Sequence, residues 1–292
     1  MNQFVITTDN GSDLSRSLAG KFGVDMVHLT VNVDNVEYDG INKSIDVTKI
    51  YDMMKKGATP STSQVTPAKA EEFFEKYLSQ GLDLIHVCLS GQISGTYSSC
   101  KMAADNLKNK FPERKIEVID SISASLGQAL LVIKGLEQQR AGKSFDEVVE
   151  FFNNMKHHIC HVFTVDDLVY LQRGGRISKS EVILGTLIGI KPILSCDSAG
   201  KLVPISKVRG RQKSLLAMIE KMAEVINPEE NDVIAISHGN CIDDANALAK
   251  LVRERFNIND IIVGDLGPVI GSHAGPGTLA VFCVADHRID RK

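Results

Sequence analysis

Short β-rich segments alternate with helical segments through the first half of the chain, and this alternation most limits the possible fold. The β-rich run "LDLIHVCLS" (82–90) leads into helical "TYSSCKMAADNLKNKF" (96–111), and "KIEVID" (115–120) leads into "SLGQALLVIKGLEQQRAG" (125–142). Strands that alternate with helices in this way form largely parallel sheets covered by helices. The sequence therefore predicts an α/β fold whose first sheet is mostly parallel.

Individual residues mark where elements begin. Asp46 and Ser144 are candidate N-caps, Pro67 suits the first turn of a helix, and another helix is expected to open near Asp13. The alternating run "VDMVHLTVNV" (24–33) predicts a strand.

The pattern changes after about residue 160. The segment "KPILSCDSAGKLVPISKV" (191–208) predicts a hairpin that turns at "DSAG", and further helices and strands follow it. A chain of 292 residues is long enough for two domains. We predict an N-terminal α/β domain over 1–160 and a C-terminal α/β domain with a mixed sheet over 161–292, although no linker marks the boundary.

Composition excludes several classes of protein. The net charge of −3 provides no basic field for nucleic acid or an anionic membrane. The six cysteines form no C-x-x-C pair and mostly adjoin apolar runs, as is typical of buried thiols in a reducing compartment. The N-terminus lacks the features of a secretion signal, and the longest apolar run (182–190) is far short of the roughly 20 residues of a membrane span. We expect a cytoplasmic protein with no transmembrane segment and no nucleic-acid partner.

Two hydroxyl-rich segments each precede a helix: "PSTSQVTP" (60–67) and "LSGQISGTYSS" (89–99). The second follows a predicted strand, and α/β sheets bind ligands at the carboxyl ends of their strands. Hydroxyl groups and free N–H groups at a helix N-terminus can together hold an anion. N-capping would explain one Ser or Thr in each segment but does not require two such clusters. The pattern favours an anion site.

A third segment, "GPVIGSHAGPGTLAV" (267–281), surrounds His273 with glycine and proline. One interpretation is a tight turn that enters the last strand. The other is a loop shaped around a bound group, because glycine lets the backbone approach a ligand closely. Spacing alone leaves both interpretations open.

Two segments, 172–178 and 206–213, place basic residues beside glycines: Arg173, Arg176, Lys207, Arg209 and Arg211. They form either a solvated surface or a site for a phosphate or an acidic partner, since arginine binds planar anions with two parallel hydrogen bonds. Few aromatic residues are interspersed, which argues against single-stranded nucleic acid.

Three other segments match motifs only in part. "AGKS" (141–144) lacks the first glycine of a P-loop and follows a helix, and "GPGTLA" (275–280) enters a strand where a dinucleotide motif would leave one. In "HHICH" (157–161) the β-branched residues that follow argue against a helix long enough to bring the histidines together, so we predict no metal site.

Seven segments in order resemble the DegV family, whose characterised members are the fatty-acid-binding (FakB-type) subunits of bacterial fatty acid kinase. They run from residue 59 to residue 281: "TPSTSQVTP", "SGTYSS", "LGQALL", "DDLVYLQRGGRIS", "IKPIL", "KVRGRQKSL" and "GSHAGPGTLAV". The resemblance implies a two-domain α/β carrier that holds a long-chain fatty acid in a buried tunnel. It also implies that a separate ATP-dependent kinase converts the presented carboxylate to an acyl phosphate for phospholipid synthesis. No catalytic residue, cofactor or metal is implied, and transient contact with a membrane is compatible with this role.

The resemblance also assigns residues. Thr62 and Ser94 would hydrogen-bond the carboxylate and His273 would lie nearby. Ser63 and Gly95 of the same motifs are assigned to the same carboxylate site. The basic residues listed above would lie where the acyl phosphate or the kinase meets the carrier. Two other functions stay open at this point: an acyl hydrolase that uses Ser94 as nucleophile and His273 as base, and a regulatory module that senses a small anion.

Overall fold

The computed structural model describes residues 3–179 and 189–290, so most of the apolar run at 182–190 lies outside the described residues. The strands are β1 Phe4–Asp9, β2 Met26–Val27, β3 Thr30–Val33, β4 Val36–Tyr38, β5 Ser61–Ser63, β6 Asp83–Cys88, β7 Ile116–Asp120, β8 Ile159–Thr164, β9 Ile190–Cys196, β10 Leu202–Arg209, β11 Ile234–His238, β12 Ile261–Asp265 and β13 Leu279–Val284. The α-helices are α1 Arg16–Phe22, α2 Val47–Lys55, α3 Pro67–Leu78, α4 Thr96–Lys110, α5 Leu126–Arg140, α6 Phe145–Met155, α7 Val169–Arg173, α8 Arg211–Ala223, α9 Ile242–Phe256 and α10 Pro268–Ala274.

The first sheet is parallel, as the alternation of strands and helices predicts. Its strands lie in the order β2-β1-β6-β7, and every neighbouring pair is parallel. Helices α3 and α4 cover one face, and α5 and α6 cover the other. Strand β6 is buried along its whole length, which explains why its sequence is mostly apolar apart from the buried Asp83 and His86.

The second sheet is mixed. Its order is β10-β9-β8-β13-β11-β12, and only β11 and β12 run parallel to each other. The predicted hairpin is confirmed: β9 pairs with β10, and Gly200 N–H donates to the carbonyl of Asp197 within the turn. The fold class is therefore confirmed. The first sheet uses strands up to Asp120 and the second uses strands from Ile159 onward, while the domain boundary at residue 160 stays a prediction.

Helix α5 is the layer that the two sheets share. It packs against β1 and β6 on one side and against β8, β11 and β13 on the other, and it is buried along most of its length. The helix approaches β8 so closely that a Cβ atom on Gly127 would lie 2.3 Å from Nε2 of His161. A glycine is therefore needed at this crossing.

The predicted starts of three helices are confirmed, whereas one predicted helix start and one predicted strand differ from the structure. Asp46 and Ser144 accept hydrogen bonds at the starts of α2 and α6, and Pro67 opens α3. The helix expected near Asp13 begins later, at Arg16, because Asp13 has a left-handed backbone (φ 54°). The expected strand over 24–33 is split into β2 and β3.

Two segments for which the sequence predicts no strand or helix are regular elements. Ser61–Ser63 forms β5, because its backbone pairs with Thr30–Asn32 of β3 in a small antiparallel sheet. The segment around His273 forms α10, which starts at Pro268 and ends before Gly275, whose φ is 86°. Among the helices of residues 3–179 and 189–290, none combines the length and apolar character that a membrane span needs.

Candidate functional site

A largely apolar cavity lies between the first sheet's loops, α10 and the inner face of the second sheet. It holds about 760 Å³ of space free of atoms, counting the solvent at its mouth. Most of its walls are hydrophobic side chains: Leu29, Leu89, Ile93, Ala124, Phe163, Leu171, Leu202, Leu266, Val269, Ile270, Ala274, Ala280 and Phe282. Such walls suit a ligand that is mainly hydrocarbon. We call this space the apolar cavity.

A compact set of polar side chains closes one part of the apolar cavity. Thr62 on β5, Ser94 before α4, Arg176 after α7 and His273 on α10 all line it. Oγ1 of Thr62 lies 2.6 Å from Nε2 of His273, and Nη1 of Arg176 lies 3.5 Å from Nδ1 of the same ring. We call these four residues the polar cluster. Each comes from a different element, so only the folded chain assembles them.

The surroundings of His273 determine its protonation. Burial, assisted by the charge of Arg176, lowers the pKa of His273 to about 4, so the ring is neutral near pH 7. A guanidinium only donates hydrogen bonds, so the Nδ1 atom that faces Arg176 acts as acceptor and Nε2 carries the proton. Nε2–H then donates to Oγ1 of Thr62. The hydroxyl proton of Thr62 stays available for a ligand.

Ser94 lies at the N-terminus of α4, where the helix dipole favours an anion. Its hydroxyl donates to Oγ1 of Thr96 over 3.0 Å and accepts from the backbone N–H of Thr96 over 3.2 Å. The helix begins after Gly95, which has no side chain to cap it. Ser94 is therefore held at the helix start, facing the apolar cavity.

Arg176 is held by backbone carbonyl groups. Its Nε donates to the carbonyl of Ile93 over 2.9 Å, and its Nη1 donates to the carbonyl of Gly174. Within the parts of the chain that the structure describes, no carboxylate forms an ion pair with it. Gly174 packs against the site as well, because a Cβ there would lie 2.3 Å from Nδ1 of His273. The first glycine of "RGGR" thus permits close packing, and the second arginine brings an uncompensated positive charge.

A second space adjoins the polar cluster on its other side. It is lined by Thr59, Pro60, Ser61, Thr62, Tyr170, Arg173, Gly174, Arg176, Ser272 and His273, and it reaches the surface at exposed residues such as Thr59 and Arg173. We call it the polar cleft. Thr62, Arg176 and His273 line both spaces. A group bound at these three residues would therefore meet the hydrocarbon-lined interior on one side and the surface on the other.

Two residues predicted in the same motifs do not line the apolar cavity. Ser63 follows Thr62 on β5, and its side chain is exposed, because successive side chains of a strand point to opposite faces. Gly95 instead packs against Gln64, whose Oε1 would lie 2.0 Å from a Cβ added there. Glycine is needed at position 95 because any side chain there would collide with Gln64.

The predicted basic residues divide into three groups. Arg173 lines the polar cleft and donates to Oγ1 of Thr59 over 3.3 Å. Lys207 and Arg209 are exposed on β10 and line neither space. Arg211 is not a free surface cation, because its Nε lies 2.9 Å from a carboxylate oxygen of Asp244 and its charge is partly compensated inside the protein. That the five residues face an acyl phosphate or a kinase stays a prediction, and Arg211 would do so while paired with Asp244.

The histidines of "HHICH" do not converge. His158 hydrogen-bonds through Nδ1 with the carbonyl of Ala285, whereas His161 lies on β8 and lines the apolar cavity. In the sequence, His161 stands out only as a candidate metal ligand. Its alternation with Ile159 and Phe163 along the strand was the signal that could have placed it on the inner face.

Comparison with known proteins agrees with the fold. A DegV domain-containing protein of Clostridium perfringens is 39% identical over 288 residues, which cover 98% of this chain and 99% of that protein. A DegV family protein from Thermus thermophilus, described as fatty acid binding, has a TM-score of 0.86 at 29% identity, over 97% of this chain and 99% of its own. The Fatty Acid Kinase (Fak) B3 protein of Streptococcus pneumoniae, loaded with linoleic acid, has a TM-score of 0.83 at 23% identity over 98% and 100% of the two chains, which shows a shared fold.

Residues 3–286 match the family described as "Uncharacterised protein, DegV family". The resemblance in motifs, the arrangement of the sheets and the similarity to relatives along almost the whole chain agree. This protein belongs to the DegV family.

Proposed function

We propose that this protein binds one long-chain fatty acid and presents the carboxylate to a separate ATP-dependent kinase, which forms the acyl phosphate. The acyl chain occupies the apolar cavity, and the carboxylate lies at the polar cluster. The observation that carries the proposal is that Thr62, Arg176 and His273 line both the apolar cavity and the polar cleft. The head group is thereby reachable from the surface while the chain stays buried.

The chemistry of the two spaces supports this division. Burying a hydrocarbon chain contributes about 0.8 kcal/mol per CH₂, so a long chain is retained by the walls alone. The hydroxyl of Thr62 can donate to a carboxylate, the hydroxyl of Ser94 can do so when it rotates away from Thr96, and Arg176 supplies a positive charge. The Thermus thermophilus relative is described as fatty acid binding, in agreement with this ligand class.

The kinase partner is the finer part of the proposal. An acyl phosphate carries more negative charge than a carboxylate, and Arg173 and Arg176 line the polar cleft where that charge would develop. Arg209 lies at the end of the second sheet that adjoins α10. It pairs with Ile190 at the start of β9, and β9 runs beside the end of β8 at Thr164. Thr164 in turn faces Leu279, the first residue of β13 after α10. The Streptococcus pneumoniae relative belongs by name to a fatty acid kinase, which favours the same kind of partner. We also propose a cytoplasmic location, in keeping with six free cysteines.

The geometry disfavours the acyl hydrolase alternative. The hydroxyl of Ser94 donates to Thr96, and Nε2 of His273 is engaged with Thr62. The group behind His273 is Arg176, a cation that opposes the imidazolium a general base must form. A fluorophosphonate probe should leave Ser94 unlabelled, and labelling would favour the hydrolase.

Native mass spectrometry of freshly purified protein tests the carrier proposal. We expect one bound fatty acid per chain, a lower melting temperature after gentle delipidation, and recovery with oleate or palmitate. Adding a cognate kinase and ATP should yield acyl phosphate only when loaded carrier is present. Protein that contains no fatty acid, and whose melting temperature does not respond to added fatty acid, would refute the proposal and leave the small-anion sensor as the better alternative.

A further inference from the structure

His161 places a polar ring in the apolar cavity, away from the polar cluster. It is only 3% exposed, and it lines the cavity beside Phe282, whose ring centroid lies 5.2 Å away. Neither ring nitrogen has a hydrogen-bond partner among the residues that the structure describes. Buried polar side-chain atoms are nearly always paired, and an unpaired one costs free energy. Packing alone does not explain why a histidine with two unpaired nitrogens is buried at this position.

The ring is neutral and can both donate and accept. Burial, reinforced by the charge of Arg288, holds the pKa of His161 well below its ordinary value. A neutral imidazole has one N–H donor and one bare nitrogen acceptor. Both capacities are unused in the described structure. The phenyl ring of Phe282 and the Cα of Gly127, which lie beside the imidazole, offer it no strong donor or acceptor.

The strand geometry places His161 along the acyl chain. Thr278, Ala280 and Phe282 all line the apolar cavity, and Thr278 lies beside α10, since its hydroxyl donates to the carbonyl of Ala274. A strand advances about 3.3 Å per residue, so Phe282 lies roughly 13 Å beyond Thr278. His161 is directly opposite Phe282 in the register of β8 and β13. The ring therefore faces the part of a bound chain that is remote from the carboxylate.

We propose that His161 is a second polar contact for the ligand, and that the cavity prefers long-chain fatty acids bearing a hydroxyl group on the middle or distal part of the chain. This inference rests on the proposed fatty acid binding. A hydroxyl group both donates and accepts, so it can pair with whichever ring nitrogen faces the cavity, in either tautomer. A saturated chain leaves both nitrogens unpaired, and the π electrons of a double bond accept only weak hydrogen bonds.

The test compares stearate, oleate and a series of octadecanoic acids hydroxylated at successive carbons, bound to delipidated protein. We expect wild type to bind one mid-chain or distal hydroxy acid about tenfold more tightly than stearate. His161→Leu should lose that preference and still bind stearate, and His161→Gln should keep part of it. The isomer hydroxylated next to the carboxylate is the matched control, because His161→Leu should not change its affinity relative to stearate.

Three outcomes would overturn the inference. Stearate binding with no preferred hydroxy acid would refute it and leave the carrier function intact. A preference that persists in His161→Leu would assign it to other residues, and an equal, His161-dependent preference for oleate would make the double bond the recognised group. Failure of every fatty acid to bind would instead refute the proposed function, and the inference with it.

Discussion

Replacement of Thr62 by valine removes one hydroxyl group from the polar cluster with little change in shape. Oγ1 of Thr62 accepts from Nε2–H of His273 over 2.6 Å, and its own proton is free for the carboxylate. A hydrogen bond to a charged group contributes about 1.5–3 kcal/mol, and the substitution also leaves Nε2–H without its acceptor. We expect Thr62→Val to weaken fatty acid binding about 10- to 100-fold.

The assay is displacement of a fluorescent fatty acid from delipidated protein, since the chain has no tryptophan to report binding directly. Ser63→Ala is the matched control, because it removes a hydroxyl from the next residue of the same strand, where the side chain is exposed. The melting temperature of Ser63→Ala should stay near that of wild type, and that of Thr62→Val should fall modestly, because Nε2–H of His273 loses its acceptor. Equal affinities in Thr62→Val and Ser63→Ala would show that the carboxylate lies elsewhere, and the argument from the polar cluster would fail.

Further predictions concern charge. The pKa of His273 is about 4 in the folded protein against an ordinary 6.5, so the unfolded chain binds more protons between these values. Its contribution to stability is complete above pH 6.5 and is lost as the pH falls toward 4, so unliganded wild type should lose more melting temperature over that range than His273→Gln. Arg209→Ala should retain bound fatty acid and stability but reduce acyl phosphate formation with the kinase, and wild-type turnover should fall as salt rises. Arg211→Ala should lower the melting temperature, because it leaves Asp244 without its ion-pair partner; unchanged melting would show that this pair is energetically neutral.

Local sequence signals predict the framework of this fold well. Asp46, Pro67 and Ser144 act at the helix starts where residue type and position predict them, because capping depends on groups within one turn. The parallel first sheet follows from the alternation of strands and helices, and the β9–β10 hairpin follows from its turn sequence. The caps and the hairpin depend on contacts close in sequence. The parallel sheet pairs distant residues, such as Phe4 with Asp83, and is predictable because strands joined by helices favour parallel pairing.

The site contains features that local signals do not determine. Ser61–Ser63 becomes a strand through pairing with Thr30–Asn32, a contact that serine-rich composition does not indicate. The ion pair of Arg211 joins residues 33 positions apart, so its partial burial cannot be inferred from neighbouring glycines. The motif resemblance assigned Thr62, Ser94 and His273 to one site, and the structure brings them to one cavity; their role toward a carboxylate stays a prediction until binding is measured.

Retention and recognition of the ligand have different physical sources in this geometry. Chain burial contributes about 0.8 kcal/mol per CH₂ whatever the head group is, so the apolar walls retain any long hydrocarbon that fits. They cannot distinguish an acid from an ester or an alcohol, since that difference lies within a few atoms of the head group. Under the proposed function, Thr62 and Arg176, which line both the cavity and the cleft, and Ser94, which lines the cavity, would supply this distinction through donors and charge. Differences along the acyl chain can be recognised only by side chains that line the interior of the cavity. His161 is such a side chain, and a plain hydrocarbon chain leaves both of its ring nitrogens without a hydrogen bond.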